Sequence, residues 1–193
     1  MVRWEPAAKE RLQAAALELF STRGFEQTTA AEIAQSVGLS ERTFFRHFAD
    51  KREVLFYGQE LFVQVFLDAV EGAPRDAATP DVIARVLRAV SQFFPDDRRA
   101  ASRVRQAVIE QNPALRERES HKLAGLGTVL AEALRSRGMD EPAATLAAES
   151  TTTVFTLAFA QWLRPGENRP LTEITSAVLG ELQNLIAPSA TSL

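Results

Sequence analysis

The sequence has no cysteine and only two histidines, His47 and His121. The first absence excludes disulfides, thiolate nucleophiles and sulfur-ligated metals; the second leaves too few ligands for a histidine-built centre, so neither a metal nor a cofactor is expected. Long apolar runs are missing too, since none approaches the roughly 20 residues that cross a bilayer. The opening Met1-Val2-Arg3-Trp4-Glu5-Pro6 lacks the apolar core of a secretory signal. A cytoplasmic protein without membrane contact is the expectation. Strand-like alternation, fixed-period repeats and low-complexity blocks are also lacking. Catalysis lacks its groupings as well: Ser, Asp and Glu are scattered over caps and outer faces, with no nucleophile–base pair or paired carboxylates, so an enzyme is not expected.

What remains is a 193-residue chain, 46% hydrophobic and 24% charged, enough to fill an ordinary core. Its net charge of −3 is unevenly divided. Residues 1–52 hold eight Lys/Arg against seven Asp/Glu, and residues 53–193 hold fourteen against eighteen. Between Ser40 and Arg52 the positive residues Arg42, Arg46, Lys51 and Arg52 face only Glu41 and Asp50, with His47 among them. This is a small basic patch, readable as a solvated face or as a polyanion contact.

Apolar residues recur three and four apart almost throughout, which predicts an all-α fold. The first helix runs from about Pro6 to Arg23, buries Leu12, Ala16, Leu19 and Phe20, and stops at Gly24, with Phe25 folding back. Thr29 with Glu32 forms a capping box, Ser40 caps the next helix, and Asp50 with Glu53 forms a second box. Between the first two caps Ile33, Ala34 and Val37 share a face, and Gly38 supplies a turn. In the following helix Phe44 and Phe48 point inward at i and i+4, leaving Arg42, Thr43, Phe45, Arg46 and His47 outside. Two short helices joined by a glycine turn form a helix-turn-helix, whose second helix fits a major groove about 12 Å wide and presents its outer face to base edges. A fourth helix is expected over about 50–71. Thr79-Pro80-Asp81 reads as a cap and first turn, and five more helices follow at about 80–94, 96–110, 113–137, 142–163 and 171–187.

The run Gly24-Phe25, Thr28-Thr29, Ile33-Ala34, Val37-Gly38-Leu39-Ser40, Thr43-Phe44-Phe45-Arg46-His47-Phe48 and Lys51 resembles the DNA-binding signature of TetR-family transcriptional regulators. The resemblance implies about nine helices: a helix-turn-helix domain over residues 1–52, a ligand-binding and dimerisation domain over 53–188, and a frayed tail over 189–193. It implies a homodimer that binds an inverted-repeat operator in double-stranded DNA and is released by a small effector. It also places Thr29 and Lys51 at phosphates, Ala30, Arg42 and Thr43 at bases, and Phe45 and His47 at the backbone or a thymine methyl; Arg46 joins them from the outer face of the helix. Two positions depart from the pattern. Arg42 stands where glycine is frequent and adds a candidate guanine contact, and Phe45 replaces the common tyrosine, losing a hydroxyl. Gln111-Asn112-Pro113-Ala114-Leu115-Arg116 and Phe159-Ala160-Gln161-Trp162-Leu163 are more loosely similar to the C-terminal domain of mycofactocin-system regulators.

Within the second half, Phe62, Phe66, Leu126, Phe155 and Phe159 are the candidate lining for an apolar or acyl-type effector, though the same aromatics also read as plain core. Arg103, Arg105 or His121 is available to an effector's carboxylate or phosphate. Gly125 and Gly127, inside a helix, mark close packing or ligand room. Ser150–Leu163 carries no charge and the last helix has a doubled apolar stripe, both suited to a subunit interface. A helical adaptor that binds protein without ligand-controlled DNA binding is the competing reading.

Overall fold

In a computed structural model that describes residues 6–186, the chain is all-α, with nine α-helices and no strand among the described residues. They are α1 (Pro6–Arg23), α2 (Ala30–Ser36), α3 (Glu41–His47), α4 (Gln59–Glu71), α5 (Thr79–Gln92), α6 (Arg99–Glu110), α7 (Pro113–Ser136), α8 (Ala143–Trp162) and α9 (Leu171–Ile186). Short 3-10 turns at Glu53–Phe56 and Asp96–Arg98 precede α4 and α6. The expected tail, 189–193, lies outside the described residues.

The chain divides into two compact units. One holds the chain up to Glu60 together with Ala100–Ser120; the other holds Leu61–Arg99 and the chain from His121 onward. The first unit therefore recruits a distant segment that its local sequence does not announce. Val108, Ile109 and Leu115 are buried in one core with Leu12, Phe20, Phe25, Ile33, Phe44 and Leu55. Arg105 Nε donates to the Leu55 carbonyl at 2.8 Å, Arg105 Nη1 reaches Glu119 Oε1 at 2.9 Å, and Arg118 pairs with Glu53. Arg105, one of the residues expected to be available to an effector, is engaged here in this unit's own framework.

One element departs from expectation. The fourth helix does not run from Asp50: the chain makes a 3-10 turn, reverses at Gly58 with φ +89°, and begins α4 at Gln59. The apolar period continues across the break, but an L-residue resists that backbone angle and glycine does not. Similarly, α5 starts one residue earlier than Thr79 as cap implies, with Ala78 in the cap position and no side-chain cap bond.

In the second unit α5, α8 and α9 pack on one another. Val86, Leu87 and Val90 of α5 meet Ala148, Phe155, Ala158 and Trp162 of α8 and Ile174 of α9 in a core shared with Leu126, Leu130 and Leu134 of α7. Ser91 Oγ donates to the Leu87 carbonyl at 2.7 Å and shares a hydrogen bond with Thr175 Oγ1 at 3.0 Å, so the buried hydroxyls between α5 and α9 are paired. At the far end of α8 the buried Arg99 donates to the Glu167 and Arg169 carbonyls at 2.5 and 2.6 Å and lies 5.0 Å over the Trp162 ring, fastening the α8–α9 loop. Beside it the Arg169 guanidinium pulls the Glu167 carboxyl down to about 2.

Because Leu115 is fully buried in the first unit's core, Leu115→Ala should destabilise that unit by about 2–5 kcal/mol. Urea denaturation followed by circular dichroism measures it.

Candidate nucleic-acid interface

The first unit's short helices are held by their ends and by one face. Thr29 Oγ1 accepts from Glu32 N at 3.2 Å while Thr29 N donates to Glu32 Oε2 at 2.8 Å, completing the capping box at α2. The Thr29 hydroxyl also donates to Glu32 Oε2 at 2.9 Å, and the Thr29 amide first and this hydroxyl second draw the Glu32 carboxyl below its ordinary range. After α2 the chain reverses at Gly38, φ +73°, with Leu39 N bonded to the Ala34 carbonyl at 2.9 Å, a turn that glycine makes without strain. Arg11 of α1 donates to the Val37 carbonyl in the same turn. Ser40 Oγ then caps α3 by accepting from Thr43 N at 3.2 Å.

Phe44 and Phe48 anchor α3. Both are buried, with ring centroids 5.4 Å apart, and Phe48 meets Tyr57 edge to face. This fixes what the other side shows. Arg42, Phe45 and Arg46 are exposed on α3, Thr43 and His47 are half-buried beside them, and Phe45 keeps 50% of its surface in solvent. At seven residues, α3 is about 10 Å long, short enough to lie in a groove.

The eight expected contact residues are thus not equivalent. Five lie together on α3: Arg42, Thr43, Phe45, Arg46 and His47, the last with a ring nitrogen, Nε2, buried and without a hydrogen-bond partner. Thr29 is exposed at the head of α2. Ala30, expected to face bases, is buried in the unit's core. Lys51, expected at a phosphate, instead turns its ammonium onto main-chain carbonyls: Phe25 at 2.8 Å, Thr28 at 3.2 Å and Glu26 at 3.5 Å. Arg52 is committed as well, forked onto Asp50 Oδ2 at 3.0 and 2.7 Å. Asp50 is held below the ordinary carboxyl range although burial opposes this, because Arg52 and the amides of Glu53 and Arg52 bond to it. Of the basic patch, Arg42 and Arg46 are the two cations with exposed side chains on α3. Sequence reasoning missed the Lys51 contacts because their partners are carbonyls, which carry no side-chain signal.

The expected effector residues lie in the second unit. Phe62 meets Phe66 at 5.1 Å and Phe155 at 5.2 Å, Phe155 stacks on Phe159 at 5.5 Å, and Leu126 is buried in the same core. Phe94 and Trp162 continue the cluster. Two surface hollows lie elsewhere, one of about 370 Å³ between α4 and α5 and one of about 600 Å³ between the α4–α5 loop and α5, and they share Arg85 and Arg88 in their walls. At Gly127 a Cβ would lie 2.7 Å from Glu149 Oε1, so the Glu149 carboxylate would have to move aside for any larger residue.

The arrangement defines a helix-turn-helix protein whose second short helix presents arginines and an apolar ring. Residues 12–57 match the family described as bacterial regulatory proteins, tetR family, and residues 77–187 match the MftR C-terminal domain. The chain belongs to the TetR family of bacterial transcriptional regulators. It is 39% identical over 82 residues to the HTH-type transcriptional regulator TcmR of Streptomyces glaucescens, 42% of this chain and 36% of that one. The chain therefore matches little more than a third of TcmR. The nucleoid occlusion factor SlmA of Vibrio vulnificus is 31% identical over 138 residues, 69% of each chain. Among solved structures, Thermus thermophilus FadR, a TetR-family transcriptional repressor in complex with lauroyl-CoA, is 26% identical with a TM-score of 0.55 over 96% of this chain and 98% of that one.

Thr29→Ala removes the hydroxyl that caps α2 and should cost about 0.5–2 kcal/mol, read as a lowered unfolding midpoint in urea.

Proposed function

We propose that this regulator is a homodimeric repressor that reads an inverted-repeat operator through α3 and is released by an apolar or acyl-type small molecule. One observation carries the DNA-reading half: burial of Phe44 and Phe48 leaves Arg42, Phe45 and Arg46 outward together on a helix short enough for a major groove. In this reading Arg42 takes a guanine edge with two donors, Thr43 lies beside it, Phe45 meets a thymine methyl, and Arg46 and His47 reach the phosphate backbone with Thr29. Ala30 is left out because its methyl is buried.

The dimer reading rests on an uncharged outer face. Thr153, Thr156, Leu157 and Ala160 of α8 are exposed, and Leu185 and Ile186 at the end of α9 are exposed by 82% and 75%. Large apolar side chains left in water on adjacent helices suit a four-helix contact with a second copy. Two-fold symmetry then sets half-sites about 34–36 Å apart.

The effector reading rests on the aromatic cluster of Phe62, Phe66, Phe155 and Phe159 with Leu126, and on the lauroyl-CoA held by the Thermus relative. A ligand enters by parting rings that now touch. The bound state must therefore differ in packing, and it weakens operator binding only insofar as the ligand prefers that state. A coupling of about 1–3 kcal/mol changes operator affinity roughly 5- to 150-fold.

Three outcomes are expected. Arg42→Ala should lose about 1–3 kcal/mol on the preferred site and relax preference at one base pair in a gel-shift panel; equal loss on operator and random DNA would remove the base-reading role. Leu157→Glu with Leu185→Glu, both exposed in the single chain, should abolish the dimer in sedimentation at low micromolar concentration while leaving the protomer folded, because an unpaired charge buried at the contact costs several kcal/mol. Titration with lauroyl-CoA should release operator from the wild type and much less from Phe155→Ala; binding without release would remove the switch and leave DNA reading intact.

A further inference from the structure

Lys51 follows the recognition helix, and its partners lie before α2. The helix-turn-helix from Thr29 to Asp50 is thus bracketed by a single side chain whose ammonium bonds to the carbonyls of Phe25, Glu26 and Thr28. A lysine ammonium has three donors and no acceptor. All three have a carbonyl here, and the nitrogen also lies 4.3 Å from the centroid of the buried Phe25 ring.

Both attachment points are themselves fixed. Thr28 is buried and donates its hydroxyl to the Gly24 carbonyl at 2.9 Å, and Thr29 beside it caps α2. On the other side Asp50 Oδ1 accepts from the amides of Arg52 and Glu53 at 2.8 and 3.1 Å, holding the backbone around Lys51. Two hydrogen-bonded ends joined by a charge-assisted contact set the separation between the loop entering α2 and the chain leaving α3.

We propose that Lys51 is a clasp that closes the helix-turn-helix on itself, a positioning residue that acts through the 25–28 loop and makes no direct phosphate contact. Its function is to fix the attitude of α3, on which alignment of Arg42 with a base edge depends. The inference rests on the reading of α3 as the base-facing helix and assigns Lys51 a role different from the one its family resemblance implies. Lysine directs three donors from one nitrogen into the space between these carbonyls, whereas arginine is longer and spreads its donors over a planar fork, so arginine keeps the charge and changes the geometry of the clasp.

The test compares wild type, Lys51→Arg and Lys51→Met on two duplexes, one recovered by selection from a random pool with wild-type protein and one of random sequence and equal length. All measurements are made well below each protein's melting temperature. A clasp predicts that both variants lose about 5- to 150-fold on the selected duplex, the effect of misaligning one good base contact, and lose little on the random one. It also predicts that Lys51→Arg keeps the wild-type salt slope. A phosphate contact predicts equal loss on both duplexes, rescue by arginine, and a slope flatter by about 0.9 in Lys51→Met. Lower melting temperatures with unchanged affinities would reduce Lys51 to a general stabiliser and overturn the proposal.

A measurement on the unmutated protein covers variants that fail to fold. Scalar couplings across hydrogen bonds, from Lys51 Nζ to the carbonyl carbons of Phe25 and Thr28, should be present in the free protein and persist in the complex with the selected duplex. Their replacement by coupling to a phosphate phosphorus would overturn the clasp. If selection enriches no sequence, the operator reading fails, while the couplings in the free protein still decide whether the ammonium is held.

Discussion

The burial of Phe44 and Phe48 is the contact on which the rest of the reading head depends. A seven-residue helix has too few internal hydrogen bonds to be stable by itself, so α3 exists because its ends are capped and one face is fixed. Once those two rings are seated, the direction of every other side chain on α3 follows from the helical period. The exposure of Arg42, Phe45 and Arg46 is a geometric consequence of the apolar anchor. Ile33 and Ala34 anchor α2 against the same core, and Gly38 makes the turn between the two helices. Affinity for a polyanion comes from charge, but choice among sequences requires this fixed presentation.

Much of this was legible in the sequence because its signals are local. The Thr29–Glu32 box, the Ser40 cap, the reversals at Gly24 and Gly38 and the i, i+4 phenylalanines each concern residues within a turn of one another, and each is found as expected. What escaped is non-local or masked. The period of apolar residues runs straight through Tyr57-Gly58, hiding a break that only the backbone angle reveals. The attachment of Val108, Ile109 and Leu115 to the first unit's core joins residues some 50 or more positions from most of their partners, and no periodicity encodes it. Lys51 looked like one more surface cation because carbonyl acceptors are invisible in a sequence. The family resemblance puts Ala30 at bases, whereas it shares the buried face of α2 with Ile33 and Ala34, at i, i+3 and i+4.

The second unit follows a different logic. Its helices are joined by a broad aromatic and aliphatic core, and α8 buries one face of Ala, Thr, Val and Phe while leaving Leu146 and Leu157 in solvent. The threonine hydroxyls that α8 buries are satisfied within the helix, as where Thr151 returns its hydroxyl to the Ala147 carbonyl at 2.7 Å. The rings that suit an apolar effector are the rings that hold the core together. Under the proposed effector reading, ligand binding and repacking would be one event, which is the condition for a ligand to change the state of the protein at all.

The central claim is that α3 reads base sequence as one half of a two-fold assembly. Sequencing of duplexes enriched by the wild-type protein from a random pool tests it most directly. The account predicts convergence on an inverted repeat whose half-site centres lie one helical turn, or a whole number of turns, apart. Recovery of DNA with no shared sequence, or of a motif without two-fold symmetry, would contradict it.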